Sequence, residues 1–320
     1  MAGVPSFAPI VERARGAVVG VRAVVDKNAT PGGGKVEDDV PDTRTAIQGT
    51  GFLIDPRGLV VTNHHLVAGC KLLRVAIPGY RVREAEVVGE DAVTDIAVLR
   101  IKDAPADLPC LRLGDSHRLR QGDWVVTVGN PYEFRMSVAA GIVSYVARHL
   151  SHGRTGVTRA YLQFSAPAHP GSSGAPVLDL EGNVVGVTTL AVPGGQGITF
   201  AVPSRVLQWV LDSFERHGGR VRRGFLGIEF GQNAQGDTVG ALVGDVREGS
   251  PAAAAGLRPG DVITRFDGRE VVDALELHDW ITCATPGSEV RLHVLRNGQG
   301  SEVSGVKIGE VGDPARPAKD

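Results

Sequence analysis

The sequence predicts a mostly β fold, and three observations support this prediction. The chain of 320 residues carries 42% hydrophobic and 22% charged side chains, so it can bury a full core and has the length of about two domains. Its 43 glycines and 19 prolines accompany short runs of Val, Ile and Leu. Turn signals such as Asp55-Pro-Arg-Gly58 and Glu181-Gly-Asn183 separate these runs. Many short strands joined by tight turns are typical of antiparallel barrels and sandwiches.

The predicted strands of the amino-terminal part follow these apolar runs. Two small barrels would account for about 200 residues. The predicted strands cover residues 17–25, 49–55, 59–62, 72–78, 96–101, 124–129, 141–146, 184–190 and 198–202.

A helix is predicted over residues 204–217, with Ser204 as its amino-terminal cap and Gly218 and Gly219 as its end. Its apolar side chains recur at helical spacing: Val206, Leu207, Val210, Leu211 and Phe214. This helix and the basic segment 220–223 mark the expected domain boundary. We predict a first domain over residues 1–219, a second over 220–309 and a flexible tail over 310–320. The second domain contains predicted strands near 240–246, 262–266 and 290–296 and a helix near 274–283.

Charge and cysteine usage exclude several classes of protein. The formal net charge of −2 gives no global field that would gather phosphates, so nucleic acid is not an expected partner. Cys70, Cys110 and Cys283 are isolated and odd in number, which indicates neither a disulfide framework nor a zinc site. We expect no metal and no cofactor.

The amino terminus does not resemble a leader peptide. Charged residues, among them Glu12, Arg13 and Arg15, interrupt its apolar positions, so it lacks the continuous apolar region of a signal peptide or of a membrane span. The expectation is a cytoplasmic protein without a transmembrane segment. A location in the cell envelope stays open for a chain from which an export signal has been removed.

Three segments carry the residue types of nucleophilic catalysis. A serine hydroxyl is a weak nucleophile at neutral pH, so it needs a histidine to take its proton and a carboxylate to fix the histidine tautomer. Residues 171–174 read Gly-Ser-Ser-Gly, residues 62–67 read Thr-Asn-His-His-Leu-Val, and Asp95 precedes an apolar run. Each segment alone is more often a loop, a polar surface or a turn. Together they indicate a catalytic triad.

These segments and several others resemble the HtrA (Deg-type) trypsin-like serine proteases in order and spacing. The resemblance extends from about residue 7 to residue 309. The motifs that carry it cover residues 48–55, 61–67, 94–99, 113–116, 128–131, 141–144, 170–176 and 197–203.

The resemblance implies a trypsin-like double six-stranded β-barrel, with the active site between the two barrels, followed by a PDZ domain of α+β type. It selects His65 over His64 as the base, Asp95 over Asp91 as the acid and Ser173 over Ser172 as the nucleophile. It also implies that the backbone N–H groups of Gly171 and Ser173 form the oxyanion hole.

Two departures from the family pattern affect the expected activity. Ala175 stands where the family has a glycine, and a Cβ there either costs roughly 1 kcal/mol at positive φ or displaces the loop. Residues 164–169 also differ from the family pattern and contain no carboxylate. The resemblance implies a shallow substrate pocket for small or aliphatic side chains, lined by Ala168, Thr199 and Ala201.

The carboxy-terminal unit resembles the PDZ domain of the same family. Residues 249–263 carry its Ser-Pro-Ala…Ala-Gly-Leu-Arg-Pro-Gly-Asp-Val-Ile pattern. The resemblance implies that this domain captures the carboxy termini of peptides. The residues implied in peptide binding are Phe225, Leu226, Gly227 and Ile228 in the carboxylate loop, and Leu277 and Ile281 on the following helix.

The expected function is that of an ATP-independent serine endopeptidase for unfolded or damaged proteins. The alternative is a catalytically impaired peptide-binding scaffold or holdase chaperone, which Ala175 and the altered segment 164–169 motivate. The resemblance also implies a homotrimer held through an amino-terminal aromatic residue, a role for which Phe7 is available.

Overall fold

The computed structural model describes residues 6–24, 46–130, 136–151, 158–192, 194–231 and 239–311. Contacts between residues divide the chain into two compact units. The division falls between Val221 and Arg222, except that residues 158–160 are grouped with the second unit.

The first unit contains two closed antiparallel barrels of six strands each, which confirms the predicted double barrel. The first barrel has the strand order β1-β2-β3-β6-β5-β4 and the second has the order β10-β11-β12-β9-β8-β7. The strands of the first barrel are β1 (Val18–Val24), β2 (Ala46–Asp55), β3 (Leu59–Thr62), β4 (Leu72–Ala76), β5 (Arg83–Asp91) and β6 (Ile96–Ile101). Those of the second are β7 (Trp124–Gly129), β8 (Ser137–Ser151), β9 (Thr158–Phe164), β10 (Pro176–Leu178), β11 (Val184–Ala191) and β12 (Thr199–Pro203).

Sequence reasoning missed three of these strands, β5, β9 and β10. Strand β5 alternates outward charged side chains such as Glu84 and Glu86 with inward small ones, so it contains no apolar run. Strand β10 has only three residues, which is too short for a periodic signal. Their places in the barrels are determined by pairing with neighbouring strands rather than by their own composition.

Two helices pack on the barrels, and one of them corrects a predicted cap. Helix α1 (Ala8–Ala14) was not predicted, whereas α2 (Ser204–Arg216) was. Ser204 does not cap α2: its hydroxyl donates to Gly114 O at 2.7 Å and accepts from Ser116 N at 3.1 Å. The residue before it, Pro203, occupies the cap position without a side-chain hydrogen bond.

The apolar face of α2 is buried in the first unit. Phe214 lies over Gly89 of β5, where an added Cβ would be 2.4 Å from the phenyl ring. Leu207 and Val210 are 0% exposed. Burying an apolar side chain of this size stabilises the fold by about 1.5–3 kcal/mol, so α2 contributes more through this face than through its weak caps.

The second unit has a sheet of order β14-β15-β16-β18-β19, a short β17 that pairs with β16, and a two-stranded β13-β20 sheet. Its core includes Leu226, Ile263 and Leu277, each at most 1% exposed. Helix α4 coincides with the predicted helix, and Asp273 caps it by accepting from Glu276 N at 2.8 Å. The elements are β13 (Gly224–Phe225), β14 (Ile228–Phe230), β15 (Ala241–Val246), α3 (Pro251–Ala254), β16 (Val262–Phe266), β17 (Arg269–Glu270), α4 (Ala274–Cys283), β18 (Glu289–Arg296), β19 (Gln299–Lys307) and β20 (Gly309–Glu310).

Glu310, the first residue of the predicted tail, lies in a strand of the second unit. Glu310 pairs with Gly224 in the β13-β20 sheet, and its carboxylate accepts hydrogen bonds from Arg222. The rest of the predicted tail, residues 312–320, lies outside the described residues. Across the described part of the chain, no helix combines the length and apolar character that crossing a membrane requires.

Candidate active site

His65 stands in a single 3₁₀ turn, His64–Leu66, that follows directly from β3. The strand ends in buried residues, so the turn is held at a fixed position on the barrel. The turn is joined to Asp95 through the backbone, because Asp95 O accepts from Asn63 Nδ2 at 2.9 Å and from His64 N at 3.1 Å. Asn63 is 0% exposed, and sequence reasoning did not identify its role.

The two histidines of the turn have different partners. His65 Nδ1 lies 2.8 Å from Asp95 Oδ2 and His65 N donates to Asp95 Oδ1 at 2.9 Å. His64 Nδ1 lies instead 3.3 Å from Glu90 Oε2. An ionised carboxylate only accepts hydrogen bonds, so Nδ1 of His65 carries the proton and Nε2 keeps a lone pair, as a general base requires.

Asp95 is held in an unusual backbone conformation. Its φ is 58°, in the left-handed region that Asp tolerates better than most residues, and the residue is 1% exposed. Asp91 supports this turn: its Oδ2 accepts from Thr94 N at 2.9 Å and from Thr94 Oγ1 at 2.5 Å. Asp91 therefore shapes the turn and does not contact His65 through any hydrogen bond described in the structure.

A third donor reaches Asp95 from the second barrel. Thr189 of β11 donates its hydroxyl to Asp95 Oδ2 at 2.5 Å. Burial raises the pKa of Asp95, but hydrogen bonds from His65 and Thr189 and the charge of His65 outweigh it, so the pKa lies below its usual value. The carboxylate stays ionised at neutral pH. Thr189 could not be identified from the sequence, because a hydroxyl on a β-strand is ordinary.

The candidate nucleophile is presented by two consecutive turns. Ser172 N donates to His169 O at 2.8 Å, and Ala175 N donates to Ser172 O at 3.0 Å. The third position of each turn is a glycine at positive φ, 94° for Gly171 and 82° for Gly174. Pro170 before Gly171 gives the first turn the residues that a type II turn favours.

These turns leave alternate N–H groups without an acceptor. Ser172 N is used within its turn, and Gly174 N donates to Thr188 O at 2.8 Å. Among the hydrogen bonds of the described residues, Gly171 N and Ser173 N donate to nothing. Two unused donors beside a serine are what an oxyanion hole needs.

Thr50 of β2 connects the serine turn to the first barrel. Its N–H donates to Ser173 O at 2.8 Å and its hydroxyl donates to Gly171 O at 2.7 Å. Asn130 N donates to the same hydroxyl at 2.9 Å, and Thr62 Oγ1 donates to Thr50 O at 2.7 Å. Thr50 is 0% exposed and was not identified as a functional residue from the sequence.

The structure joins His65 to Asp95 by hydrogen bonds, and it holds Ser173 beside the histidine turn through shared neighbours. An added Cβ on Gly49 would lie 2.3 Å from Leu66 Cδ1 and 3.1 Å from Ser173 O, so both segments adjoin Gly49. No hydrogen bond in the described part of the chain links the Ser173 hydroxyl to His65. Such bonds are often long in enzymes without substrate and shorten when substrate binds.

Ala175 occupies its position without a strained backbone. It is absent from the non-glycine residues with positive φ, its carbonyl accepts from Thr188 N at 2.9 Å, and it is 1% exposed. Its Cβ lies against Gly129, where an added Cβ would be 3.2 Å away. The methyl group that replaces the family's glycine is accommodated by a glycine on the neighbouring strand β7.

The three predicted pocket residues have different surroundings. Ala168 lines a cavity of about 340 Å³ on the side of the serine turn that carries His169, Ser172 and Ala175. Thr199 is 2% exposed and donates its hydroxyl to Ala166 O at 2.8 Å, and Ala201 is 0% exposed in the core of the second barrel. The substrate pocket stays a prediction, and only Ala168 lines this cavity.

The predicted peptide-binding residues of the second unit divide into two groups. Leu226, Leu277 and Ile281 belong to its buried core, and Ile228 lies half-buried on β14. Phe225 pairs with Gly309 in the β13-β20 sheet, and the Arg247 guanidinium lies 5.9 Å from its ring centre.

The loop between β13 and β14 nevertheless carries unused donors. In the described residues, the N–H groups of Leu226 and Gly227 donate to no acceptor, while their carbonyls accept from Ala252 N and Arg247 N. Gly227 has a φ of 84°, and a Cβ there would lie 2.2 Å from Ser250 Cβ. Successive free N–H groups in such a turn can hold a carboxylate.

Comparisons with known proteins agree with both units. Residues 49–187 match the family model of the trypsin-like peptidase domain, and residues 224–306 match that of the PDZ domain. The chain is 37% identical over 278 residues to a probable periplasmic serine endoprotease DegP-like of Chlamydia trachomatis, with 83% of this chain and 55% of that protein covered. It is 34% identical to the protein of the same name from Hahella chejuensis, with 96% and 70% covered.

Solved structures give the same result. The HtrA-type protease AlgW with a tripeptide has a TM-score of 0.75 and 31% identity, covering 97% of this chain and 99% of that one. The same protease with a decapeptide has a TM-score of 0.71 at 31% identity, covering 97% and 100%. The chain spans only about half the length of the first curated relatives it matches.

The expected cytoplasmic location is wrong. The relatives are named as periplasmic serine endoproteases, which points to the cell envelope. The expectation rested on the lack of a leader-like segment, and such a lack does not determine a compartment.

A substitution at Gly174 tests how closely the serine turn is packed. An added Cβ would lie 2.0 Å from Thr50 O and 2.7 Å from Thr62 Oγ1, so Gly174→Ala must displace the turn. Gly122→Ala is the matched control, because Gly122 also has positive φ, at 95°, but open space around it. We expect Gly174→Ala to lower the free energy of unfolding by about 2–3 kcal/mol more than Gly122→Ala. Urea unfolding followed by circular dichroism measures both, and equal midpoints would contradict the packing argument.

Proposed function

Because the chain belongs to the HtrA family of trypsin-like serine proteases, we propose that it is an ATP-independent serine endopeptidase acting on unfolded or damaged proteins. One observation carries this proposal. A buried, ionised Asp95 fixes His65 in the tautomer of a base, beside a serine turn with two unused N–H groups. This arrangement has no evident purpose in a protein that only binds peptides.

The proposed reaction proceeds through an acyl-enzyme. His65 Nε2 takes the proton of the Ser173 hydroxyl as the oxygen attacks the carbonyl carbon of a peptide bond. His65 then gives the proton to the leaving amine, and the carbon–nitrogen bond breaks. Water, deprotonated by the same nitrogen, attacks the carbonyl carbon of the ester. The bond from that carbon to the Ser173 oxygen breaks, His65 returns the proton to this oxygen, and the acid product leaves. Asp95 stabilises the imidazolium that forms in each half of the reaction.

The oxyanion that forms in each step would be held by Gly171 N and Ser173 N. Because Thr50 holds the carbonyls of both residues, its hydrogen bonds limit rotation of the peptide groups in this turn. Losing one oxyanion donor in a serine protease costs about 2.7–4 kcal/mol of transition-state stabilisation. Holding this turn in position therefore preserves a large part of the rate of peptide-bond cleavage.

The alternative function, a catalytically impaired scaffold or holdase, is not favoured. Its two grounds were Ala175 and the altered segment 164–169. The first required Ala175 to displace the serine turn, whereas Ala175 has an ordinary φ and both turn hydrogen bonds are present. For the substrate pocket we retain the proposal of a small or aliphatic side chain, with Ala168 as the residue in contact. Thr199 and Ala201 are buried and would affect the shape of the pocket indirectly, by packing in the barrel core.

We propose peptide capture for the second unit. The free N–H groups of Leu226 and Gly227 would receive the terminal carboxylate, and the chain of the peptide would add to the edge strand β14. Leu277 and Ile281 would support the groove from the core. The proposed domain limits remain 1–219 and 220–309, and the two family-model matches fall inside them.

Replacing Ser173 tests the proposed enzyme. Ser173→Ala is expected to remove casein cleavage and labelling by a fluorophosphonate, because no other hydroxyl has this position. Ser172→Ala is the matched control. Of the hydrogen bonds that the structure describes, its hydroxyl takes part in one, accepting from His169 N at 3.1 Å, so both readouts should survive with a modest loss. A wild-type protein that neither cleaves casein nor takes the label would refute the proposed function.

A pair of peptides tests the carboxylate loop. A fluorescent ten-residue peptide ending in valine is expected to bind with a Kd about tenfold lower when its carboxy terminus is free than when it is an amide, because the amide loses the charge that the N–H groups hold. Fluorescence anisotropy with the Ser173→Ala protein, which cannot consume the peptide, measures both. Equal affinities would exclude carboxylate recognition by this loop.

We also propose a homotrimer. The Phe7 ring centre lies 5.6 Å from that of Trp124, which is 45% exposed, so two aromatic rings form a small apolar surface. Sedimentation at micromolar concentration is expected to give a trimer for the wild-type chain and for Tyr80→Ala, a control at an exposed aromatic residue. Phe7→Ala should shift the equilibrium towards monomer, and a monomeric wild type would rule the trimer out.

A further inference from the structure

A cavity beside the serine turn is lined by three arginines. The cavity has a volume of about 570 Å³, and Arg22, Arg74 and Arg83 contribute to its wall. We call it the arginine pocket. Its other polar lining residues are Gln48, Glu84 and Asn130.

The strand register places two of these arginines opposite each other. Arg22 of β1 pairs with Arg74 of β4, and the same row continues to Gln48 on one side and Glu84 on the other. Like charges directly opposite on neighbouring strands destabilise a sheet. The only carboxylate in the row, Glu84, lies 3.4 Å from Lys102 Nζ. The row therefore has an excess of positive charge that an anion would neutralise.

Two of these arginines also have N–H donors that are not used within the described part of the chain. The Nε atoms of Arg22 and Arg83 are buried and have no partner among the described residues. A guanidinium offers five N–H donors in a planar fork that matches a carboxylate. A buried N–H group without an acceptor raises the free energy of the folded protein. An occupant with two acceptor oxygens would remove this desolvation cost and would also form charge-assisted hydrogen bonds.

The arginine pocket reaches the candidate catalytic machinery. Gly49 and Asn130 both line it. Gly49 adjoins Ser173 O, and Asn130 N donates to the Thr50 hydroxyl that holds Gly171 O. A peptide bound at Ser173 in extended form advances about 3.3 Å per residue, so a side chain a few residues from the scissile bond can enter the pocket.

We propose that the arginine pocket binds an aspartate or glutamate side chain of the substrate, close in sequence to the bond that is cleaved. This proposal deepens the proposed protease function and rests on it. The pocket would favour acidic segments, while the residue at the scissile bond is selected elsewhere. The carboxylate would lie between the facing guanidinium groups of Arg22 and Arg74.

The test compares matched peptide libraries. Peptides that carry Asp or Glu at successive positions around a fixed cleavable bond are compared with the same peptides carrying Asn or Gln. The wild-type protein is expected to show a kcat/KM about tenfold higher for the acidic member at one or two positions. The double variant Arg22→Gln, Arg74→Gln should lose this preference and keep its rate on the neutral peptides. The control Arg118→Gln, Arg258→Gln changes the net charge equally at exposed sites and should keep the preference.

Three outcomes separate the possible errors. Equal rates on acidic and neutral peptides in an active wild-type protein would overturn the arginine pocket and leave the protease function intact. A wild type without cleavage and without fluorophosphonate labelling would refute the function itself. The third measurement is the Tm with and without inorganic phosphate. If phosphate raises the Tm of the wild-type protein but not of the Arg22→Gln, Arg74→Gln variant, and if acidic and neutral peptides are cleaved equally, the pocket binds a free anion. The substrate proposal is then wrong.

Discussion

The hydrogen bonds of Thr50 are the constraint on which the candidate site depends. Catalysis by a serine needs groups from distant parts of the chain held to within a fraction of an ångström. Thr50 belongs to the first barrel, yet its amide and hydroxyl hold the carbonyls of Ser173 and Gly171 in the second. The peptide groups of those carbonyls carry the N–H groups of Ser172 and Gly174, which donate to His169 O and Thr188 O. Both peptide groups are therefore held at the oxygen and at the nitrogen, and the free N–H groups of Gly171 and Ser173 lie on the peptide groups immediately before them.

The carboxylate of Asp95 is likewise held by hydrogen bonds from both barrels. His65 donates from the first barrel and Thr189 from the second. A left-handed residue costs roughly 1 kcal/mol, and the hydrogen bonds to its carbonyl and carboxylate offset this cost. The two barrels are therefore joined at both ends of the proposed proton relay, through Thr50 at the serine and through Thr189 at the acid.

The sequence was sufficient for features that depend on local pattern. Apolar runs located β2, β3, β6 and β7, helical spacing located α2 and α4, and glycines with a proline located the serine turn. Features that depend on contacts across the fold were not predictable. Charged residues interrupt the apolar positions of strand β5, Thr50 and Thr189 act through tertiary hydrogen bonds, and Ser204 bonds to Gly114 and Ser116 instead of capping its helix. The burial of Ala201 in the barrel core was not predictable for the same reason, since it depends on the closure of the barrel.

The contact between Ala175 and Gly129 makes the effects of substitutions at these two positions depend on each other, although they lie 46 residues apart in the printed sequence. The methyl group of Ala175 fills space that a side chain at 129 would need, and the Thr50 hydroxyl would be 3.3 Å from the same added atom. A side chain at 129 would therefore fit more easily beside a glycine at 175 than beside the alanine. With both side chains present, the added atom would press on the methyl group of Ala175 and on the threonine that holds the serine turn.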